Sequence, residues 1–279
     1  MSMTQAYAHP GVGRFAPLRI EGVVYSCGDV HGRDDLLAEF LDWVGADAHG
    51  NQATVVFLGD YVDRGPRSRE VVERLMRGPS RPGETWIPLK GNHDALFAAA
   101  WRDPDSDAAA TWIMNGGMAT KRSYGVGYGC DLAQHVPEAH IRFLEGLQLA
   151  ADDGERLYVH AGVRPGLGIA FQSEQDLTWI RSPFLEERHD VDRLVVHGHT
   201  PSKAGPVATR WRLGIDTRAY SSDRLTGVRF EPGVPVPRVW QSGVGLLPEI
   251  EGPEVWGPGF EGTATETPWA HPGAHPAPG

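Results

Sequence analysis

The sequence predicts an α/β fold: a four-layer α-β-β-α sandwich, with two mixed sheets face to face and helices outside both. Two observations lead there. The first half alternates strand and helix three times, which calls for parallel strands joined by right-handed crossovers. The second half carries short apolar runs closely spaced by turns, the pattern of a second, partly antiparallel sheet. No linker-like stretch divides the halves, so both sheets are assigned to one domain, residues 18–250.

Taken in order, Val23–Cys27 reads as a buried strand. A helix from Asp34 to Val44 follows, with Leu36, Leu37, Phe40, Leu41 and Val44 at helical spacing. Thr54–Leu58 is the second strand. The next helix, Ser68–Met76, has Ser68 as N-cap, an apolar face of Val71, Val72, Leu75 and Met76, and Gly78 as its stop. Thr85–Leu89 is the third strand, followed by a helix from Asp94 to Trp101. Helices at Ala108–Met114 and Glu138–Leu147 fill the middle. Strands are then expected at Arg156–Val159, Arg193–Val196, Trp211–Ile215, Leu225–Phe230 and Arg238–Gln241. Residues 1–17 read as a flexible N-terminal segment. Residues 251–279, with six Gly, six Pro and no Lys or Arg, read as a flexible tail. Such a tail cannot bury enough apolar surface to offset its ordering entropy. Its Trp256, Phe260 and Trp269 are the groups by which it can dock.

Composition excludes several function classes. Among 279 residues, 26 basic against 36 acidic side chains give a net charge of -10, so neither nucleic acid nor an acidic membrane is an expected partner. Met1 to Pro17 lack a continuous apolar stretch, and the longest apolar run, Ala95 to Trp101, is too short to span a bilayer. Cys27 and Cys130 are the only cysteines, which leaves no disulfide framework and no Cys-based zinc site. A cytoplasmic monomer is expected. The glycine-rich run Gly125-Val126-Gly127-Tyr128-Gly129 follows no strand and has Cys130 at its sixth position, so it reads as a loop and not as a dinucleotide fingerprint.

The chemistry sits at strand ends. Gly28-Asp29-Val30-His31-Gly32 follows the first strand, Gly59-Asp60 the second and Gly91-Asn92-His93-Asp94 the third. In a parallel sheet these positions emerge at one edge, where ligands bind and glycines allow close backbone approach. His160 and His197-Gly198-His199 reach the same edge from the second sheet. A single Asp after a strand more often caps a helix, and a single His is more often structural. Five such positions converging on one edge are hard to obtain from independent caps. Carboxylate, amide oxygen and imidazole without thiolate suit divalent ions. If one carboxylate is shared, Asp29, His31 and Asp60 can take one ion, and Asp60, Asn92, His160 and His199 a second. Paired ions about 3.5–4 Å apart clamp a displacement at phosphorus and supply hydroxide near neutral pH. They also leave a positive site inside an acidic protein.

These motifs resemble the phosphoprotein phosphatase branch of the calcineurin-like metallophosphoesterases, specifically its compact bacterial and phage members. Gly28–Gly32 matches GDxHG, Gly59-Asp60-Tyr61-Val62-Asp63-Arg64-Gly65 matches GDxVDRG, and Gly91–Asp94 matches GNH[ED]. His160-Ala161 and Gly198-His199-Thr200 fall where two later histidine motifs are expected. Trp112-Ile113-Met114-Asn115-Gly116-Gly117 and Trp179-Ile180-Arg181 are weaker echoes. The resemblance implies the metallo-dependent phosphatase fold and the metal ligands Asp29, His31, Asp60, Asn92, His160 and His199. The two ions would be manganese first, with iron, zinc, nickel or cobalt as alternatives. It also implies His93 as general acid with Asp63 behind it, and Arg64, Arg181 and Asn92 as phosphate-binding groups. His197 is expected to stand behind the ligands and support them.

The activity implied is hydrolysis of phosphate monoesters by a hydroxide bridging two ions, with a phosphoserine or phosphothreonine protein as the leading substrate. A phosphorylated small molecule, specifically a dinucleoside polyphosphate such as diadenosine tetraphosphate, is the alternative. A catalytically silent protein-binding scaffold is a third reading, disfavoured because every matched ligand is present. Three positions depart from the family pattern: Asp94 where eukaryotic members have Glu, Lys90 where they often have Arg, and Arg218, after Asp216-Thr217, where bacterial relatives often have Gly.

Overall fold

In the computed structural model, residues 16–127 and 129–248 are described, together with the backbone of 267 and 268. The expected flexible ends, 1–17 and 251–279, fall largely outside the described residues. The chain opens with β1 (Leu18–Arg19), β2 (Val24–Cys27), α1 (Asp34–Ala48), β3 (Ala53–Phe57), α2 (Ser68–Arg77), β4 (Glu84–Pro88) and α3 (Asn92–Arg102). Its middle is helical: α4 (Asp107–Trp112), a π turn over Ile113–Gly117, α5 (Met118–Ser123) and α6 (Glu138–Glu145). Then follow β5 (Ala150–Asp152), β6 (Arg156–Val159), α7 (Glu174–Trp179), β7 (Leu194–His197), β8 (Val207–Ala208), β9 (Arg212–Gly214) and α8 (Ala219–Ser222). The strands β10 (Thr226–Phe230), β11 (Arg238–Gln241), β12 (Gly245–Leu246) and β13 (Thr267–Pro268) complete it.

These strands form the two mixed sheets expected. One runs β12-β11-β10-β2-β3-β4, with β2, β3 and β4 parallel and β10 returning antiparallel to β2. The other runs β1-β5-β6-β7-β9-β8-β13, with β6, β7 and β9 parallel. Alternation along each strand builds the layers. Val24, Val56 and Leu58 face inward and meet Tyr158, Val196, Leu213 and Ile215 of the opposite sheet in one buried cluster. Tyr25, Cys27, Val55 and Phe57 face outward beneath Leu37, Phe40 and Val44 of α1 and Val71, Val72 and Leu75 of α2. On the far side Leu157, Val159 and Val195 are covered by Leu177, Ile180 and Phe184. That fourth layer is thin: α7, six residues long, and the turns after it.

Two local expectations need correction. Ser68 is not the N-cap of α2 but its first helical residue; Arg67 takes the cap position. The Ser68 hydroxyl is engaged elsewhere, accepting the backbone N–H of Asp63 at 3.1 Å. The short strands β1, β5, β8 and β12, two or three residues each, lay below the reach of sequence periodicity. Among the described residues, no helix is long and apolar enough to cross a membrane.

Candidate metal centre

The carboxyl ends of β2, β3, β4, β6 and β7 converge, and with them the polar residues of the motif loops. Tight backbone makes this convergence feasible. His31, Asp60, Asp63, Arg64 and His199 all adopt positive φ, between 43° and 72°, where non-glycine residues are strained. Glycine is required where loops touch: a Cβ on Gly91 would lie 2.2 Å from the Asp60 carboxylate, and one on Gly198 within contact-forbidding range of Asp29. Asp94 ties the loops together. Its carboxylate accepts the backbone N–H groups of Asp60 (2.9 Å), Tyr61 (2.9 Å) and Gly91 (3.0 Å). Burial and the neighbouring Asp60 charge push the Asp94 carboxyl up to about 8.

Asp60 lies at the middle. One carboxylate oxygen is 3.5 Å from His31 Nε2 and 3.9 Å from His93 Nε2; the other is 3.4 Å from His160 Nε2. Two groups of potential metal ligands therefore share it: His31, Asp60 and His93, and Asp60, His160 and His199. Asn92 joins the second group, its Oδ1 lying 2.9 Å from His160 Nε2 and 3.0 Å from His199 Nδ1. Asp29 stands beside the second group, with its carboxylate receiving the His199 backbone N–H at 3.1 and 3.2 Å. The structure thus brings His31, Asp60, Asn92, His160 and His199 together in two groups, and puts His93 in the first group where Asp29 was expected.

Whether this set suits cations can be tested on its proton inventory. His160 Nδ1 donates to the Leu58 carbonyl at 2.7 Å and His31 Nδ1 to the Val62 carbonyl at 2.8 Å. Each neutral ring then turns an Nε2 lone pair inward, the arrangement by which ligating histidines are oriented. The His160 lone pair meets the Asn92 carbonyl oxygen with no proton between them, a contact that a cation relieves. Burial holds His160 below, and His31 well below, the ordinary imidazole value despite the Asp60 charge; it takes His199 down to about 3, with His160 adding to the effect. Burial, then the charges of Asp216 and Asp60, push the Asp29 carboxyl well above its usual range, and Asp216 rises to about 6. Asp60 goes the other way: burial raises it, but His160, His93 and His31 around it win and hold it low. Buried carboxylates this close together call for positive charge. The residues fit a pair of divalent ions.

His93 is held for proton transfer. Its Nδ1 donates to Asp63 Oδ2 at 2.7 Å. Asp63 is fully buried, and its other oxygen accepts from Trp112 Nε1 (2.8 Å) and the Thr120 hydroxyl (2.6 Å). Burial lowers the His93 imidazole, yet Asp60 and Asp63 together raise it above its ordinary value. Arg64 does not pair with Asp63. Its guanidinium donates to His31 Nε2 at 3.1 Å and lies 3.0 Å from His93 Nε2, so it spans the mouth of the first group. The π turn supports it: the Gly116 carbonyl accepts the Arg64 backbone N–H at 3.3 Å. Such turns recur at functional sites. Arg181 is exposed and donates to the His199 carbonyl at 3.3 Å, beside the second group. His197 places Nδ1 2.9 Å from the Gly198 carbonyl, with its ring edge-on to Phe184. Lys90 pairs with Glu174 at 3.2 Å. The motifs point to no part in the site for Thr120, Ser68 or Tyr220, whose ring lies 5.3 Å from that of His31 and 4.8 Å from the Arg64 guanidinium.

Comparison with known proteins bears on this site directly. The family model for calcineurin-like phosphoesterases matches residues 23–223, a span that holds every motif loop described above. The chain is 38% identical over 230 residues, 74% of its length, to a symmetrical bis(5'-nucleosyl)-tetraphosphatase of Paracidovorax citrulli (strain AAC00-1), and spans 66% of that relative. A second symmetrical enzyme, from Acidovorax ebreus (strain TPSY), is 32% identical over 74% of this chain and 66% of its own. An asymmetrical tetraphosphatase, PrpE of Bacillus velezensis, is 25% identical over 72% and 86%. The chain thus spans just under two thirds of the symmetrical relatives. Among solved structures, a provisionally assigned diadenosine tetraphosphatase superposes with a TM-score of 0.58 at 22% identity, covering 82% of this chain and 98% of that one. A cold-active protein tyrosine phosphatase of a psychrophilic Shewanella gives 0.52 at 18%, over 80% and 79%. At these identities the likeness speaks for the fold, two mixed sheets flanked by helices. Because the family match runs through the very loops that gather Asp60 and its neighbours, the chain belongs to the calcineurin-like phosphoesterases.

Proposed function

We propose that the chain is a dinucleoside polyphosphate hydrolase that cleaves diadenosine tetraphosphate symmetrically. One observation carries this reading above the phosphoprotein substrate favoured from the sequence: the 38% identity to a symmetrical tetraphosphatase. In the proposed site Asp29, His31 and Asp60 hold one divalent ion, and Asp60, Asn92, His160 and His199 hold the other. Manganese is the first expectation for both. Bound there, the ions supply Lewis acidity toward phosphoryl oxygens and acidify water.

The side chains do the rest. Arg64, fixed by two imidazoles and the π turn, offers its planar fork to phosphoryl oxygens, and Arg181 offers a second from the opposite side. His93 delivers a proton to the departing oxygen as the P–O bond to it breaks. Asp63 occupies Nδ1, so the transferable proton belongs to Nε2, on the side of Asp60. Water adds to one central phosphorus, the anhydride bond between the two halves breaks, and two molecules of ADP leave. The test is product analysis: metal-loaded protein is given diadenosine tetraphosphate and, separately, a phosphoserine peptide. ADP as the sole nucleotide product, at a kcat/KM well above that for the peptide, supports the reading. ATP with AMP would indicate asymmetrical cleavage, and preference for the peptide would restore the phosphoprotein reading.

A further inference from the structure

We propose that Arg218 is a specificity-determining residue, a second cationic grip for the phosphates of a polyphosphate chain beyond the one being attacked. The inference rests on the proposed polyphosphate substrate and deepens it.

Three observations carry it. Arg218 sits at φ 60°, ψ 46°, the left-handed region where glycine fits freely and a long side chain does not. Nothing local needs an arginine there: its backbone N–H donates to Asp216 Oδ1 at 2.9 Å, a bond that glycine would make equally well. The strain is therefore spent on the side chain. That side chain is uncommitted, because Nε is buried with no hydrogen-bond partner among the described residues. Finally, its guanidinium lies 5.7 Å from the centre of the Tyr220 ring, and the Arg64 guanidinium lies 4.8 Å from the same ring. Tyr220 in turn packs edge-on to His31, one of the proposed ligands. Two planar cations thus share one aromatic ring, which itself packs on His31.

A phosphate monoester gives Arg64 and Arg181 all the anionic oxygens it has. A substrate with four phosphates in a row carries further charge away from the reacting centre, and Arg218 is the cation placed to meet it. Asp216 and Asp29 share this neighbourhood, and Arg218 offsets their charge along the path of an extended phosphate chain. Arginine, with its fork of donors, suits extended phosphate better than a point charge would.

The test compares inhibition by inorganic tripolyphosphate and by orthophosphate, with p-nitrophenyl phosphate as reporter and free metal held constant. Arg218→Gly removes the guanidinium and relieves the backbone strain, so loss of folding is not expected; a thermal melt checks this. The variant is expected to weaken tripolyphosphate about tenfold, the worth of one charge-assisted hydrogen bond, and orthophosphate about twofold or less. Arg218→Lys restores part of the difference by its charge. Equal weakening of both inhibitors, or of neither, overturns the proposal. Because the inhibitors report directly, the result stands even if diadenosine tetraphosphate proves not to be the substrate.

Discussion

His93 and Asp63 give the sharpest residue-level consequences. With Nδ1 held by Asp63 at 2.7 Å, His93 has one face left for chemistry. Replacing His93 with Asn is expected to lower kcat on an alkyl phosphomonoester by about 10²–10⁴. The loss is smaller on diadenosine tetraphosphate, whose departing phosphate has a pKa near 6 and needs its proton less. Steady-state rates on both substrates check this; an equal loss on both would argue against the acid role. Metal analysis of the same variant separates that role from ligation, since His93 also lies within ligand range of His31 and Asp60. Full metal content with a lowered rate is expected. The positions proposed as ligands stand out in the sequence because each is a polar residue at a strand end, flanked by glycine in every case but His160. Thr120, Ser68 and Tyr220 were not, because each acts through a contact more than 50 positions away or across an unpredicted turn, as when Thr120 meets Asp63. Nothing in local spacing encodes such contacts.

At the scale of elements, the site depends on how helices seat against the six-stranded sheet. Phe40 of α1 lies over Gly227 of β10, which pairs with Cys27 just before the Asp29 loop. A Cβ at Gly227 would stand 2.4 Å from the Phe40 ring and 3.2 Å from that of Trp43, so a larger residue has to displace this packing. Gly227→Val is therefore expected to destabilise the fold by about 1–3 kcal/mol, read as a lowered denaturant midpoint at constant m-value. The helical and strand core elements were readable from apolar periodicity, and their ends shifted by only a few residues. What periodicity missed was the fourth layer, where α7 and turns cover the second sheet. Its buried His189 donates from Nε2 to the Trp211 carbonyl at 2.9 Å while Nδ1 has no hydrogen-bond partner among the described residues. Burial lowers this imidazole below its ordinary 6.5, against the Trp211 bond. The unfolded chain therefore takes up the proton first, and His189 makes stability fall as pH drops below about 6.5. His189→Gln keeps a donor without titrating, so its melting temperature is expected to fall less steeply between pH 7 and 5. An unchanged slope would place the acid sensitivity elsewhere.

For the whole molecule the issue is charge. On the proposed function an acidic chain, at -10, attracts a polyphosphate, and it carries several buried carboxylates where the proposed ions and that anion would bind. A pair of divalent ions reconciles both facts, with Arg64, Arg181 and Arg218 extending the positive field outward. Asp60 is the one side chain common to both ligand groups, which makes it the point on which the account turns. The most direct measurement is therefore metal content per chain after manganese loading and removal of free ion, for the wild type and for Asp60→Asn. Two equivalents in the wild type and fewer than one in the variant are expected. Two equivalents retained by Asp60→Asn, or none held by the wild type, would contradict a shared binuclear centre.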